Sequence, residues 1–126
     1  MANLKGLLFT ESHEWIDFID ETRARVGITD YAQKALGDLV FINLPEVGDT
    51  ISIGESFADV ESVKAVSEVF SPVHGVVSAI NDELLDSPEL VNQEAYEAWL
   101  IEVKEITAKE DFLTADEYEL LISKEE

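Results

Sequence analysis

Lys64 is the residue whose type and setting most clearly suggest chemistry. It is the only basic residue between Ala35 and Val103, a stretch that carries fourteen acidic residues. A lone lysine can form a Schiff base, bind a phosphate or carry a covalently attached group. The alternative without chemistry is a solvated lysine on a turn.

Two of these chemistries find no support in the residues around Lys64. A Schiff-base lysine must lose its proton, which requires burial or cationic neighbours, whereas Glu61 and Glu68 favour the charged ammonium. A phosphate-binding lysine belongs to a G-x-x-x-x-G-K-[ST] loop, and the chain contains none. Covalent attachment needs an exposed amine at a rigid tip. Position and context alone support a carrier lysine and a plain solvated lysine about equally.

The two histidines share no motif that would make a metal or catalytic site. His13 and Glu14 are neighbours in a predicted strand, where adjacent side chains point to opposite faces, so they cannot easily cooperate. We interpret His13 as a structural or interface residue and His74 as a solvated residue in a Pro–Gly turn. The chain has no cysteine, which excludes disulfides, thiolate metal ligands and a cysteine nucleophile.

Short β-prone segments separated by turn residues make up most of the chain before residue 80. Residues 7–20 and 23–28 predict a hairpin, and turn signals fall at residues 45–49, 54–55 and 72–75. Strands at about ten-residue spacing predict an all-β barrel or sandwich. With a turn on either side, Lys64 is expected at the tip of a hairpin.

Helical signals are short until the C-terminus. Residues 29–39 predict a helix with Thr29 or Asp30 as N-cap and Gly37 as its stop. Residues 82–93 predict a loop or short helix, and residues 95–106 predict a strand. Near the end of the chain, Thr114 and Glu117 form a capping-box pattern beside an apolar stripe at helical spacing. This last helix is expected to pack on the barrel.

Composition predicts one domain over residues 1–126, with enough apolar residues for a core. The 8 basic and 28 acidic residues give a net charge of 8 − 28 = −20. Such a surface repels nucleic acids and anionic membranes and suits partners with positive patches. The alternative is that the charge serves only solubility or a saline or hot habitat. The first fifteen residues lack the pattern of a secretory signal, and no run is apolar enough for a membrane span. We expect a monomer that is located in the cytoplasm or, after processing, in an organelle matrix.

Several sequence blocks in a fixed order resemble the glycine cleavage system H protein family. The block "ESVKA" at residues 61–65 resembles its lipoylation site. The further blocks, in order, are "HEW" at 13–15, "GITDYAQ" at 27–33, "LGDLVFINLPEVGD" at 36–49, "SPVHG" at 71–75 with Asn81, and "PELVN" at 88–92. Biotin carriers place methionines on both sides of their lysine, and this chain has Val63 and Ala65 there. The resemblance covers nearly the whole chain and implies a barrel-sandwich hybrid of lipoyl type, mainly β, with short flanking helices and a C-terminal helix.

The resemblance implies a carrier rather than an enzyme. Lys64 would carry lipoate in amide linkage, and Glu61, Ser62, Val63 and Ala65 would form the motif that a lipoate-attaching enzyme reads. The implied partners are a pyridoxal-phosphate glycine decarboxylase, which loads an aminomethyl group on the arm, an aminomethyltransferase that uses tetrahydrofolate, and a flavin (FAD) dihydrolipoyl dehydrogenase.

The same resemblance implies a cleft in which the loaded arm rests. Its terminal amine is cationic, so a sheltering cleft needs a carboxylate and polar acceptors. Ser12 and Glu14 match the family there, and Glu68, four residues past Lys64, is the next candidate; the alternative is that Glu14 and Glu68 are solvated strand residues. Ala95 and Ala98 depart from the family pattern, which has a proline and a glycine at these places.

Two other functions stay open on the sequence. H-like proteins also relay lipoyl groups to other complexes or serve sulfur oxidation, and their lysine setting looks similar. A non-lipoylated interaction module whose acidic face docks partners is the alternative from a different class.

Overall fold

The computed structural model describes residues 6–125, and within them two antiparallel sheets carry most of the chain. The strands, in chain order, are β1 (Leu8–Phe9), β2 (Glu14–Phe18), β3 (Ala24–Ile28), β4 (Leu39–Asn43), β5 (Thr50–Ile51), β6 (Ser56–Ser62), β7 (Val66–Phe70), β8 (Val73–Ile80) and β9 (Ile101–Lys109). One sheet has the order β1-β2-β3-β9-β8-β5 and the other β4-β6-β7. The sheets do not close on themselves.

Four helices accompany the strands in this part of the chain. They are α1 (Asp30–Leu36), α2 (Glu83–Asp86), α3 (Glu89–Gln93) and α4 (Ala115–Glu125). The Thr29 hydroxyl accepts the Ala32 amide at 3.2 Å and so caps α1, while Gly37 ends this helix with a φ of 89°. At α4 the Thr114 amide donates to Glu117 and the Glu117 amide donates to the Thr114 hydroxyl, a complete capping box.

A main core lies between the two sheets, and a smaller cluster anchors the C-terminal helix. This core includes Val26, Ile42 and Val60. On β4, the buried Ile42 lies between the exposed Phe41 and Asn43, as a strand with one face inward requires. In the smaller cluster, the Tyr118 ring of α4 stacks on the Phe9 ring of β1 with 4.8 Å between centroids. The expected packing of the last helix on the sheets is therefore confirmed, as is the mainly β fold with short helices.

One predicted turn is wrong, because Gly75 has a packing role. Residues 73–80 are strand β8, so His74 and Gly75 lie inside a strand and the bend falls at Ser71 and Pro72. A Cβ on Gly75 would stand 2.5 Å from Cγ1 of Val103 on β9, so the glycine permits close packing of β8 on β9. His74 is exposed, as expected, and its Nδ1 accepts the Ile53 amide at 3.0 Å.

Two further boundaries differ from the sequence prediction. The segment 82–93 forms two short helices, α2 and α3, instead of one loop or helix. Strand β9 begins at Ile101, whereas residues 95–97 make a turn, because the Ala98 amide bonds back to the Glu94 carbonyl at 2.8 Å. Ala95 and Ala98, which depart from the family pattern, are both buried. No helix among residues 6–125 is long and apolar enough to cross a membrane. The single domain over residues 1–126 stays a prediction, and its residues 1–5 and 126 lie outside the described residues.

Candidate carrier site

Lys64 lies at the tip of the β6–β7 hairpin, as the sequence predicts. Glu61 on β6 pairs with Val66 on β7, and the strands are joined by Val63, Lys64 and Ala65. Val63 and Lys64 are exposed, and no ion pair within residues 6–125 engages the Lys64 ammonium group. The amine therefore stands in solvent on a chain segment held by strands on both sides.

The buried side chain of Ser62 holds this turn together. Its hydroxyl oxygen accepts the amides of Lys64 at 3.3 Å and Ala65 at 3.1 Å, and its hydrogen points to the Ala65 carbonyl at 3.3 Å. The Ser62 amide also donates to the Ala65 carbonyl at 2.8 Å. A serine hydroxyl that accepts two turn amides stabilises this conformation of the turn. The second residue of the "ESVKA" block thus has a local physical reason to be a serine.

The tip rests on the end of helix α1. The Val63 amide donates to the Asp38 carbonyl at 3.3 Å, and Cε of Lys64 lies 3.6 Å from where a Cβ on Gly37 would stand. Because Gly37 has no side chain, the lysine stem can pass over the backbone at this point. The carbonyl end of a helix carries partial negative charge, which is a favourable place for an ammonium group.

Asn92 of α3 supports this platform with both ends of its amide. Its oxygen accepts the Leu39 amide at 2.9 Å, and its NH2 group donates to the Gly37 carbonyl at 2.9 Å and to the Gln33 side chain at 2.8 Å. These bonds tie α3 to the segment that receives the hairpin tip. Asn92 could not be assigned to the site from sequence, because residues 53 or more positions apart carry no local sign of such a contact.

Glu14 lies in a second polar cluster and is buried, with 2% of its surface exposed. Its Oε1 accepts the hydroxyls of Thr10 at 2.6 Å and Ser12 at 2.5 Å, and its Oε2 accepts the Phe70 amide of β7 at 3.4 Å. Glu14 is therefore no solvated strand residue. The contact with Phe70 joins this cluster to the strand that follows Lys64.

Ser12 lines an open cleft of about 590 Å³ together with Glu11, Glu110 and Asp111. Burial raises the pKa of the Glu110 carboxyl, and the nearby carboxylates of Glu14 and Glu11 raise it further. Negative charge is thus concentrated in the cleft. A cation that entered would relieve the repulsion between these carboxylates.

The raised pKa of Glu110 leads to a prediction about stability. A carboxyl that holds its proton more tightly when folded contributes stability at low pH and loses it as the pH rises past about 4.5 through the folded-state pKa. We expect Glu110→Gln to melt at a higher temperature than the parent at pH 7, with the difference shrinking toward pH 4. Thermal melts across this range measure it, with the exposed Glu119→Gln as a control of equal charge. A difference that does not change with pH would contradict this reading.

Glu68 is exposed on β7, opposite Asp59 of β6, as the solvated alternative expects. It makes no hydrogen bond to Ser12 or Glu14 in the described part of the chain. Of the three predicted cleft residues, Ser12 and Glu14 are therefore in contact, whereas Glu68 lies apart from them on β7.

His13 serves the attachment of the C-terminal helix. Its Nδ1 lies 2.8 Å from the Tyr118 hydroxyl, which also lies 2.7 Å from the Thr29 hydroxyl, and its Nε2 lies 3.4 Å from Glu125. Burial raises the pKa of the Tyr118 phenol, so this hydroxyl keeps its proton at neutral pH. These contacts agree with the structural interpretation of His13. No group of three or more His, Asp or Glu side chains between residues 6 and 125 could hold a metal ion.

Comparison with known proteins agrees with the sequence blocks. The family model described as Glycine cleavage H-protein matches residues 7–125. A glycine cleavage system H protein of Lachnoclostridium phytofermentans is 59% identical over 125 residues, which cover 99% of this chain and 98% of that protein. A probable glycine cleavage system H protein of Pyrococcus furiosus is 50% identical over 107 residues, 85% of this chain and 80% of that one. The crystal structure of a glycine cleavage system H protein from Mycobacterium marinum has a TM-score of 0.87 at 42% identity and covers 94% of this chain and 97% of that chain.

Two open antiparallel sheets with a lysine at a hairpin tip are the architecture of the lipoyl-type barrel-sandwich class, and the predicted fold class is confirmed. Within that class, the chain belongs to the glycine cleavage H-protein family, whose model and relatives cover it almost from end to end.

Proposed function

We propose that this protein is the lipoyl carrier of a glycine cleavage system and that lipoate is attached to Lys64. The observation that carries the proposal is a solvent-exposed lysine at a hairpin tip, in a turn held by Ser62, on a member of this family. The role is that of a carrier and not of a catalyst. The chain has no cysteine, so no thiol of its own could trap the arm in a mixed disulfide.

The residues around Lys64 fit a long attached group. The amine faces solvent, the stem passes over Gly37, and the Ser62 bonds keep the turn rigid while the arm moves. When attached, the lipoyl group supplies a disulfide that accepts the aminomethyl group and is later restored from the dithiol. The partners that follow are a glycine decarboxylase with pyridoxal phosphate, an aminomethyltransferase with tetrahydrofolate, a dihydrolipoyl dehydrogenase with FAD and a lipoate-attaching enzyme.

We further propose that the cluster of Ser12 and Glu14 receives the cationic end of the loaded arm. From the hairpin tip, β7 runs to Phe70, whose amide touches Glu14, a path of about 15–20 Å at the rise of an extended strand. The arm measures about 15 Å from the backbone by bond count, and its cargo adds to that length. The loaded end can therefore approach the cleft along β7, where Glu68 lies on the way. Carboxylates at the end of this path would hold the ammonium and reduce its exposure to water.

A Glu14→Gln variant tests this role of the cleft. The amide keeps an oxygen for the hydroxyls of Thr10 and Ser12 but removes the negative charge. We expect the aminomethyl cargo to be hydrolysed several-fold faster than in the parent. The measurement is the decay of the loaded mass over time. Glu119→Gln, an equal loss of charge on α4, is the control, and an unchanged half-life of the Glu14→Gln cargo would remove Glu14 from the proposal.

Reconstitution with a glycine decarboxylase tests the pathway. The lipoylated protein is expected to support exchange of bicarbonate into the carboxyl of glycine in a saturable manner, whereas the protein without lipoate supports none. Lipoylation without any exchange would favour an H-like carrier of lipoyl relay or sulfur oxidation. Failure to take up lipoate at all would favour the acidic interaction module.

A further inference from the structure

The exposed apolar side chains of this protein are concentrated around Lys64. Eight large apolar side chains are exposed among the described residues, and four of them lie at the hairpin tip or on the neighbouring strand β4. These four are Val40, Phe41, Val63 and Val66, with 55%, 46%, 74% and 64% of their surfaces exposed. On a protein of charge −20, such a concentration at one end marks a surface for contact.

The strand register places two of these residues, Phe41 and Val66, on one face. Phe41 pairs with Glu61, and Glu61 pairs with Val66, so the three side chains form a row across the outer face of the small sheet. The row below, Ile42–Val60–Ser67, points the other way, and Ile42 and Val60 are buried in the core.

A second outer row adds negative charge next to this apolar row. Asn43 pairs with Asp59, and Asp59 pairs with Glu68, both through the same strand register. The Asn43 amide donates to the Asp59 carboxylate at 2.6 Å. We call the apolar residues Val40, Phe41, Val63 and Val66, together with the acidic Asp59, Glu61 and Glu68, the tip face.

We propose that the tip face is the docking surface for the enzyme that attaches lipoate to Lys64, a proposal that rests on the proposed function. The partner must present an apolar surface to Phe41 and the valines. Next to it, the partner must carry Lys or Arg side chains that face the acidic residues of the tip face. Opposite charges across an interface raise the rate of encounter and fix its orientation. Aromatic and apolar anchors at the centre supply most of the affinity.

The position of the face selects the attaching enzyme over the later partners. Attachment forms an amide between Nζ of Lys64 and the carboxyl carbon of lipoate. The bond from that carbon to its activating phosphate breaks, and the amine releases a proton to solvent. Since Nζ is only about 6 Å from the backbone, the enzyme that performs this step must contact residues beside Lys64. The carrier's later partners act at the far end of the arm, about 15 Å away, and can reach it without contacting Phe41.

Initial rates of lipoylation, followed by intact mass at limiting carrier concentration, test the proposal. A lipoate-attaching enzyme with ATP and lipoate is used. Phe41→Ser and Val66→Ser are compared with Val47→Ser and Leu120→Ser, which alter exposed apolar residues elsewhere. We expect kcat/KM to fall about tenfold or more for the tip-face variants and to stay within twofold for the controls. Phe41→Leu should restore most of the rate, and melting temperatures report whether each variant is folded.

A charge variant and a second assay complete the test. The double variant Asp59→Asn/Glu68→Gln should lower kcat/KM and weaken its dependence on salt, because the attraction to a basic partner is reduced. The double variant Asp116→Asn/Glu119→Gln on α4 is the control. After complete lipoylation, Phe41→Ser should support glycine–bicarbonate exchange within twofold of the parent.

Two outcomes would overturn the inference. One is a folded Phe41→Ser that is lipoylated as fast as the parent, and the other is a normal lipoylation rate with impaired exchange, which would assign the face to the decarboxylase. A parent protein that takes up no lipoate would instead refute the proposed function itself, so the two failures are distinguishable.

Discussion

Lys64→Arg is expected to take up no lipoyl group under conditions in which the parent protein is fully converted. Arginine keeps the positive charge and most of the length of the side chain, but its guanidinium does not deprotonate in proteins and cannot form the amide. The exposed tip tolerates the change, because Ser62 bonds to the backbone of residues 64 and 65 and not to the lysine side chain. Intact mass after reaction with a lipoate-attaching enzyme measures the effect.

The matched control for Lys64 is Lys104→Arg. Lys104 is another exposed lysine, but it lies within strand β9 and its ammonium is 3.7 Å from Glu105. This variant should gain one lipoyl group at the parental rate. A mass increase in Lys64→Arg equal to that of the parent would show that another lysine is modified and would refute the assignment.

Asn92→Leu is expected to cause the largest loss of stability of the substitutions considered. Leucine removes the three hydrogen bonds to Leu39, Gly37 and Gln33 and leaves these partners unsatisfied at the junction of α1, α3 and β4. Each unsatisfied group in a shielded place costs about 1–3 kcal/mol, so we expect a fall of about 3–5 kcal/mol in the free energy of unfolding. This corresponds to a drop in melting temperature on the order of 10 °C or more.

The neighbouring residue of the same helix provides the control. Gln93 is exposed, and Gln93→Leu should change the melting temperature little. Well below its melting temperature, Asn92→Leu should also be lipoylated more slowly, because the backbone of Gly37 and Asp38 supports the hairpin tip. If Asn92→Leu melts at the same temperature as the parent, the structural role of Asn92 is contradicted. If Asn92→Leu is destabilised but is lipoylated at the parental rate, the support of the tip by Asn92 does not affect lipoylation.

Features whose hydrogen bonds close within a few residues could be predicted from sequence. The N-cap of α1 at Thr29 and the capping box of α4 at Thr114 and Glu117 each join residues three positions apart. The β6–β7 hairpin belongs to the same group, since its turn is closed by Ser62 and Ala65. Short-range hydrogen bonds determine these features, so they can be predicted before any tertiary contact is known.

Predictions failed where a residue's role depends on a distant partner. Gly75 reads as a turn residue, yet its lack of a side chain serves contact with Val103 on the adjacent strand. Gly27, for which the sequence predicted no packing role, lies under the Trp15 ring, whose Nε1 donates to the Ala95 carbonyl 80 positions away. The sequence alone does not show whether a glycine serves a turn or a tight packing contact, because that depends on the neighbouring strand.

The family, the mainly β architecture and the position of Lys64 at a hairpin tip can be predicted from sequence, because ordered motifs and turn residues act through near neighbours. The burial of Glu14 against Phe70, the support of the tip by Asn92 and the row shared by Phe41 and Val66 are seen only in the folded chain. These relations join residues 25 to 56 positions apart through strand register and core packing. These side chains come into contact only once the strands have paired in their final register, and a local sequence pattern does not specify that pairing.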